Sequence, residues 1–162
     1  MPITGGYTIN HAALMAGMVV DGQLKNTISK LNKSTSVYIP FGSGVVSDGE
    51  DGAKLPVDAS TAAQFKGVVL RELNRAYTDT DTSGAVPLRD YTVMTEGVVA
   101  VKVLDTVAQD DAVYFRVGAT GNGEFSGVVG TGVTLGVLIP NAKFLTGGEA
   151  GDLVKLSLKV GG

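Results

Sequence analysis

The chain has 162 residues, of which 44% are hydrophobic and 18% charged, with a net charge of −3. This length and composition predict one folded domain with its own core and exclude a chain that is disordered throughout. The absence of cysteine excludes disulfides, thiol catalysis and thiolate metal sites, and the small number of clustered cations argues against nucleic acid as a partner.

The N-terminal quarter is apolar but weakly periodic. Residues 12–20, AALMAGMVV, are too short and too interrupted by Gly17 for a signal peptide or a membrane span, so we expect neither. Residues 25–32, KNTISKLN, fit either a helical turn or an edge strand. We predict an N-terminal arm over residues 1–35, extended or partly helical, that packs on its own domain or on a partner.

From residue 36 to the end, short runs with a period of two alternate with Gly-rich turns, a pattern typical of strands with one buried face. The predicted strands lie in Ser36–Val46 (around a Pro-Phe-Gly turn), Gly67–Leu73, Val98–Leu104, Val113–Val117, Val133–Ile139 and Val154–Val160. Asn122-Gly123 is a strong hairpin dipeptide. The sequence therefore predicts an all-β (mainly β) fold, with a small β-barrel or β-sandwich module over residues 36–162.

Side-chain alternation predicts which faces are buried. Val113, Phe115 and Val117 are expected to face inward, with Tyr114 and Arg116 on the opposite face. The last strand has a charged outward face, which favours an edge or barrel-closing strand. The tripeptide Gly-Val-Val recurs at 44–46, 67–69, 97–99 and 127–129, and we interpret each copy as a turn followed by a strand.

The residues offer little catalytic chemistry. His11 is the only histidine, no phosphate-binding glycine motif occurs, and most acidic residues lie in Gly-rich turns. We therefore predict no enzyme activity, no catalytic residues and no cofactor, although an enzyme site shared between subunits stays open.

The best candidate for a metal site is the run from Asp79 to Gly84, DTDTSG, which matches the start of a calcium-binding EF-hand loop. Asp90 would take the twelfth position, but Pro87 lies inside the loop and no flanking helices are predicted. We interpret the run as a polar turn and predict no metal site, with calcium binding by Asp79, Asp81 and Asp90 as the alternative.

The order of several segments resembles the structural cement, or decoration, proteins of tailed-bacteriophage capsids. The resemblance covers nearly the whole chain and rests on turn-and-strand signatures. These are Gly17–Asp21, Ile39–Gly42, Phe65–Leu70, the Tyr91 to Val101 unit with Glu96-Gly97, Asp110–Tyr114 and Gly151–Val154.

The resemblance implies a structural virion protein, made in the bacterial host cytoplasm, that binds the outer surface of the expanded capsid and bridges neighbouring capsid subunits. Its partners would be the major capsid protein and further copies of itself in a homo-oligomer, without membrane or nucleic acid. We expect apolar side chains of the arm to contact the capsid or a neighbouring copy: Tyr7, Ile9, Leu14, Met15, Met18 and Val20. The alternative is a β-sandwich that binds glycans or a host surface, although the chain has no Trp for sugar stacking.

Overall fold

A computed structural model describes residues 14–22, 24–71 and 84–159 of the chain. The described residues form eleven strands and two single turns of 3-10 helix, at Ala62–Gln64 and Gly132–Thr134. The strands are β1 (Asn26–Leu31), β2 (Ile39–Pro40), β3 (Gly44–Asp48), β4 (Gly52–Lys54), β5 (Phe65–Val69), β6 (Gly84–Ala85), β7 (Asp90–Lys102), β8 (Ala112–Arg116), β9 (Phe125–Ser126), β10 (Gly136–Phe144) and β11 (Leu153–Lys159). The predicted all-β fold is confirmed. Within the described ranges, no helix is long and apolar enough to cross a membrane.

Five strands close into a barrel. β1 pairs with β4, β4 with β3, β3 with β5, β5 with β7, and β7 returns to β1. The β1–β4 contact is parallel, whereas the other four pairings are antiparallel. We call this ring the first barrel. Because every member has a partner on both sides, the ring leaves no long unpaired edge.

β7 is the longest strand and connects the first barrel to a second layer of strands. Its first half pairs with β1 and β5, and its second half, from Glu96 onward, pairs with β11. The sheet continues from β11 to β10, β8 and β9. Phe125 in β9 then contacts the chain just after β7, through a bridge to Val103 and a 2.9 Å hydrogen bond from the Leu104 amide. We call the ring that this contact completes the second barrel.

Each barrel has its own hydrophobic core. The core of the first barrel contains Ile39, Phe41, Val45, Ala53, Val69, Ala85, Tyr91 and Val93. The larger core lies mainly in the second barrel and contains the ring pair Phe65–Phe115, whose centroids are 4.8 Å apart, together with Phe125 and Phe144. β7 supplies side chains to both cores and is therefore a strand of both barrels.

The predicted strand at Val98–Leu104 is only the second half of β7. Gly97 was expected to lie in a turn before this strand, but it lies inside the strand with φ 134°, a conformation that glycine alone adopts without strain. Gly67 has φ 136° and lies inside β5. Val128 and Val129 follow Gly127 in a loop and are exposed. The interpretation of Gly-Val-Val as a turn followed by a strand is therefore wrong for these three copies, whereas at 44–46 β3 begins at Gly44 just after a turn.

Three expectations about side chains and strand position need correction. β11 has β7 on one side and β10 on the other, so the edge alternative for the last strand is wrong, whereas its place in the ring of the second barrel agrees with the barrel-closing alternative. Val133 lies in a 3-10 turn and is 62% exposed, because β10 begins only at Gly136. Arg116 was expected to face outward but is only 6% exposed, because a following loop covers it. Val113, Phe115 and Val117 are buried as predicted.

The division of the chain at residue 35 stays a prediction. Within the predicted arm, β1 is a member of the first barrel, and residues 1–13 lie outside the described residues. Of the two readings of residues 25–32, the strand is the one that the structure contains.

Candidate interaction surfaces

A short segment preceding β1 lies along the second half of β7. The amides of Gly17 and Val20 donate to the carbonyls of Ala100 and Val98 at 2.8 and 2.9 Å, and the Ala100 amide donates to Met18 at 2.9 Å. Val19 forms an antiparallel bridge with Val99. The segment therefore extends the sheet by adding backbone hydrogen bonds to β7.

Close packing of glycines fixes this segment. A Cβ at Gly17, which has φ 77°, would lie within 2.9 Å of backbone atoms of Val69, Arg71 and Gly42. Gly42 in turn leaves no room for a Cβ beside Gly17. The segment then continues to Asp21, whose carboxylate pairs with Lys155 at 2.8 Å. These contacts position residues 17–21 on their own chain.

The structure places four of the six arm residues that were predicted to contact a partner. Leu14, Met18 and Val20 are half-buried, and Met15 is 48% exposed. Tyr7 and Ile9 lie outside the described residues. Their contact with a capsid or a neighbouring copy stays a prediction.

A cleft of about 390 Å³ opens at one side of the first barrel. Its apolar lining includes Val37 and Val57, which are 51% and 53% exposed, and its rim carries an ion pair of Lys54 with Asp48 at 3.2 Å. Asn122, from the turn of the second barrel, donates to the Pro56 carbonyl at 3.3 Å beside it. The cleft thus lies where the two barrels meet.

The largest concentration of exposed apolar side chains is on the second barrel. Four of the nine large hydrophobic residues that are exposed in the described ranges fall between residues 128 and 138: Val128, Val129, Val133 and Leu138. We call these four residues the valine surface. No charged residue occurs between Glu124 and Lys143 in the sequence, so the segment that carries these four side chains has no charge of its own. Sequence reasoning missed it because alternation assigned Val133 to the core and the valines of 127–129 to a strand.

A buried polar network lies directly beneath the valine surface. Asp105 accepts hydrogen bonds from the Gly127 amide at 2.9 Å, the Ser126 hydroxyl at 2.6 Å and Arg116 Nη2 at 3.2 Å. Ser126 is fully buried and its Oγ also accepts from the Val128 amide at 3.0 Å. The network connects the loop that follows β9 to the outer face of β8.

The described residues contain no group of three or more His, Cys, Asp or Glu side chains that could hold a metal ion. Of the candidate calcium loop, Asp79 and Asp81 lie outside the described residues, and Asp90 is the exposed first residue of β7. His11 also lies outside them. The polar side chains that the structure does describe, such as Asp105 and Ser126, form hydrogen bonds that stabilise loops.

A family model described as structural cement protein (E217 gp24/Pam3 gp6) matches residues 3–159, nearly the whole chain. The chain belongs to this family of phage cement proteins. Membership assigns it a structural role in association with the phage capsid, which confirms the resemblance seen in the sequence.

The fold has a counterpart among solved structures. A chain in the capsid of Myoviridae phage XM1 superposes with a TM-score of 0.67 at 15% sequence identity, over 98% of each chain. At that identity the likeness establishes the fold. No curated protein matches the sequence.

Proposed function

We propose that the protein binds the outer surface of the expanded capsid and stabilises it by bridging neighbouring capsid subunits. The observation that carries this proposal is the match of residues 3–159 to the cement protein family. A protein that binds only the expanded lattice stabilises that state by mass action. Contacts at several points multiply through effective concentration, so each contact can be modest.

The distribution of apolar surface supports a bridging role. The cleft with Val37 and Val57 is lined mainly by residues of the first barrel, and the valine surface belongs to the second. A bridge needs contact surfaces at two separate places on one rigid body, and β7 connects the two barrels without a linker. The same geometry accommodates neighbouring copies of the chain, in line with the proposed homo-oligomer.

The proposed arm contact uses side chains on and beyond the segment that lies along β7. Met15 is the most exposed of its described members, and Leu14, Met18 and Val20 each leave part of their surface free. Together with Tyr7 and Ile9 they would supply apolar anchors. The backbone preceding them could add to a strand of a partner.

Co-sedimentation with purified shells tests the proposal. We expect saturable binding of the wild type to expanded shells and little binding to immature shells of the same phage. No binding to either form would overturn the proposal. A glycan array would then test the alternative of a sugar-binding module, although all five Phe side chains are buried and none can stack on a sugar.

A variant lacking residues 2–13 tests the arm without removing any described element. We expect its half-saturation concentration for expanded shells to rise at least several-fold. Met15→Gln should weaken binding in the same direction, with Leu24→Gln as a control, because Leu24 is exposed and belongs to none of the proposed contact surfaces. Full affinity in both arm variants would remove the arm from the proposed contact.

A further inference from the structure

The valine surface is displayed on backbone that is tied down at several points. The Gly136 amide donates to the Val129 carbonyl at 2.6 Å, and the Thr120 amide donates to the Val133 carbonyl at 3.0 Å. Leu138 pairs across the sheet with Tyr114, which is half-buried beside it. The exposed side chains therefore project from a fixed scaffold.

The buried network supplies further restraint from below. Arg116 has a side chain that is only 7% exposed, and it lies under Gly130, where a Cβ would overlap its Nη1. Its Nε and Nη1 atoms have no hydrogen-bond partner in the described part of the structure. A buried cation with one carboxylate partner is a costly arrangement for stability alone. Arg116 is linked through Asp105, which also accepts from the Gly127 amide, to the loop that carries Val128 and Val129.

We propose that the valine surface is a capsid-contact site, and that Asp105, Arg116 and Ser126 are positioning residues that preorganise it. This inference rests on the proposed function and names a contact that lies outside the N-terminal arm. Preorganisation favours binding because little conformational entropy is lost when the loop meets its partner.

The size of the surface favours a capsid subunit over a second copy as its occupant. Four half-exposed aliphatic side chains offer on the order of 300 Å² of apolar surface, whereas a stable two-body interface buries about 1,200–2,000 Å² in total. Such a contact is too small to hold a dimer alone. It is sufficient as one of several attachments to a lattice, where the contacts of one molecule act together.

Isosteric substitutions test the contact. Val128→Thr and Val129→Thr, alone and combined, keep side-chain shape while adding a polar hydroxyl at exposed positions. Leu24→Thr is the control, because it also replaces an exposed aliphatic side chain with threonine, and Leu24 belongs to none of the proposed contact surfaces. We expect the double variant to bind expanded shells at least tenfold more weakly than the wild type, with the control within twofold. Equal affinity of the wild type and the three valine-surface variants for expanded shells would overturn the inference. An equal loss of affinity in the control would also overturn it.

Asp105→Asn tests the positioning role. An amide nitrogen facing Arg116 would place two donors opposite each other and release the loop, so amide hydrogen exchange at Gly127 and Val128 should accelerate. Ser126→Ala is the milder variant if Asp105→Asn fails to fold. Val69→Ala, in the other core, controls for lost stability. We expect the network variants to bind shells more weakly than Val69→Ala at a temperature at which all are folded.

The outcomes separate this inference from the proposed function. Failure of the wild type to bind shells overturns both. If the wild type binds shells and every valine-surface variant binds them with the same affinity, this inference alone is overturned. Sedimentation velocity without shells identifies the remaining case: if the double variant loses an oligomer that the wild type forms, the surface binds a second copy and the assignment to the capsid is wrong.

Discussion

Individual glycines allow the backbones of neighbouring strands to approach each other closely. Gly67 has φ 136°, and a Cβ there would overlap the carbonyl oxygen of Met94 on the neighbouring strand. From the sequence, Gly67 was interpreted as part of a turn. Glycine is required there because of a contact with Met94, which lies 27 positions away in the chain. A contact of that kind has no local signature, so only the structure reveals it.

Gly67→Ala should lower the free energy of unfolding by about 3 kcal/mol or more, because the new methyl group meets backbone that cannot move away. Gly151→Ala is the control, since Gly151 also has a positive φ of 93° but faces open space. The control should lose only about 1 kcal/mol. Urea denaturation measures both, and similar losses in the two variants would contradict the steric argument.

Tyr91 illustrates how burial changes a titration. Its hydroxyl donates to the Ala53 carbonyl at 2.9 Å inside the first barrel. Burial, with a smaller contribution from the negative charge of Asp48, raises the pKa of Tyr91 above the ordinary value. The folded chain thus retains this proton at pH values at which the unfolded chain, with a tyrosine pKa of about 10, has lost it.

The stability of the wild type should consequently fall as pH rises above about 10, because the unfolded state then binds fewer protons than the folded state. Tyr91→Phe should be about 1 kcal/mol less stable at pH 8, owing to the lost hydrogen bond. That difference should shrink above pH 10 by up to about 1.4 kcal/mol per pH unit. Chemical denaturation of both proteins from pH 8 to 11 measures it, and a constant difference would contradict the assignment.

At the scale of elements, β7 is where sequence reasoning succeeded and failed most clearly. Alternation correctly predicted the buried face of β8, because that run has one core face and one outer face. The second half of β7 was also correctly predicted to be a strand. It did not join the two halves of β7 across Gly97. Burial of both faces at Val98–Val101 removes the polar half of the pattern. A Cβ at Gly97 would also lie 3.0 Å from the Cβ of Lys25, a contact that the local sequence does not reveal.

The segment at residues 17–20 is an element that pattern could not assign, since backbone bonds to β7 hold it and leave no periodic signal. Gly17→Val should displace it, because no Cβ fits between Val69 and Gly42. We expect a loss of about 1–3 kcal/mol and faster amide exchange at Ala100, whose partner is Met18. Gly22→Ala, with no atom within 4 Å of its Cβ, is the control. Unchanged exchange at Ala100 in Gly17→Val would contradict the placement.

At the scale of the whole molecule, the fold class and the family were within reach of the sequence, whereas the interaction surfaces were not. Strand alternation and turn dipeptides are local, so an all-β module followed from them directly. The valine surface depends on where a loop folds back over Arg116, and the second barrel depends on the contact of Phe125 with Leu104. Both arise from tertiary packing.

The two barrels on one shared strand suggest why such a module suits a capsid. For the proposed bridge between capsid subunits, a rigid body transmits load better than domains on a flexible linker. Each barrel closes its own hydrogen-bonded ring around its own core, and β7 runs through both. Surfaces on the two barrels therefore keep a fixed spacing.

The most direct test of the proposed stabilising role is the disruption temperature of expanded capsids with and without saturating protein. We predict that the wild type raises this temperature, that the effect saturates when the binding sites are filled, and that the Val128→Thr/Val129→Thr variant gives a smaller rise at equal concentration. Immature shells should show little change. Saturating binding of the wild type that leaves the disruption temperature of expanded capsids unchanged would contradict a cementing role.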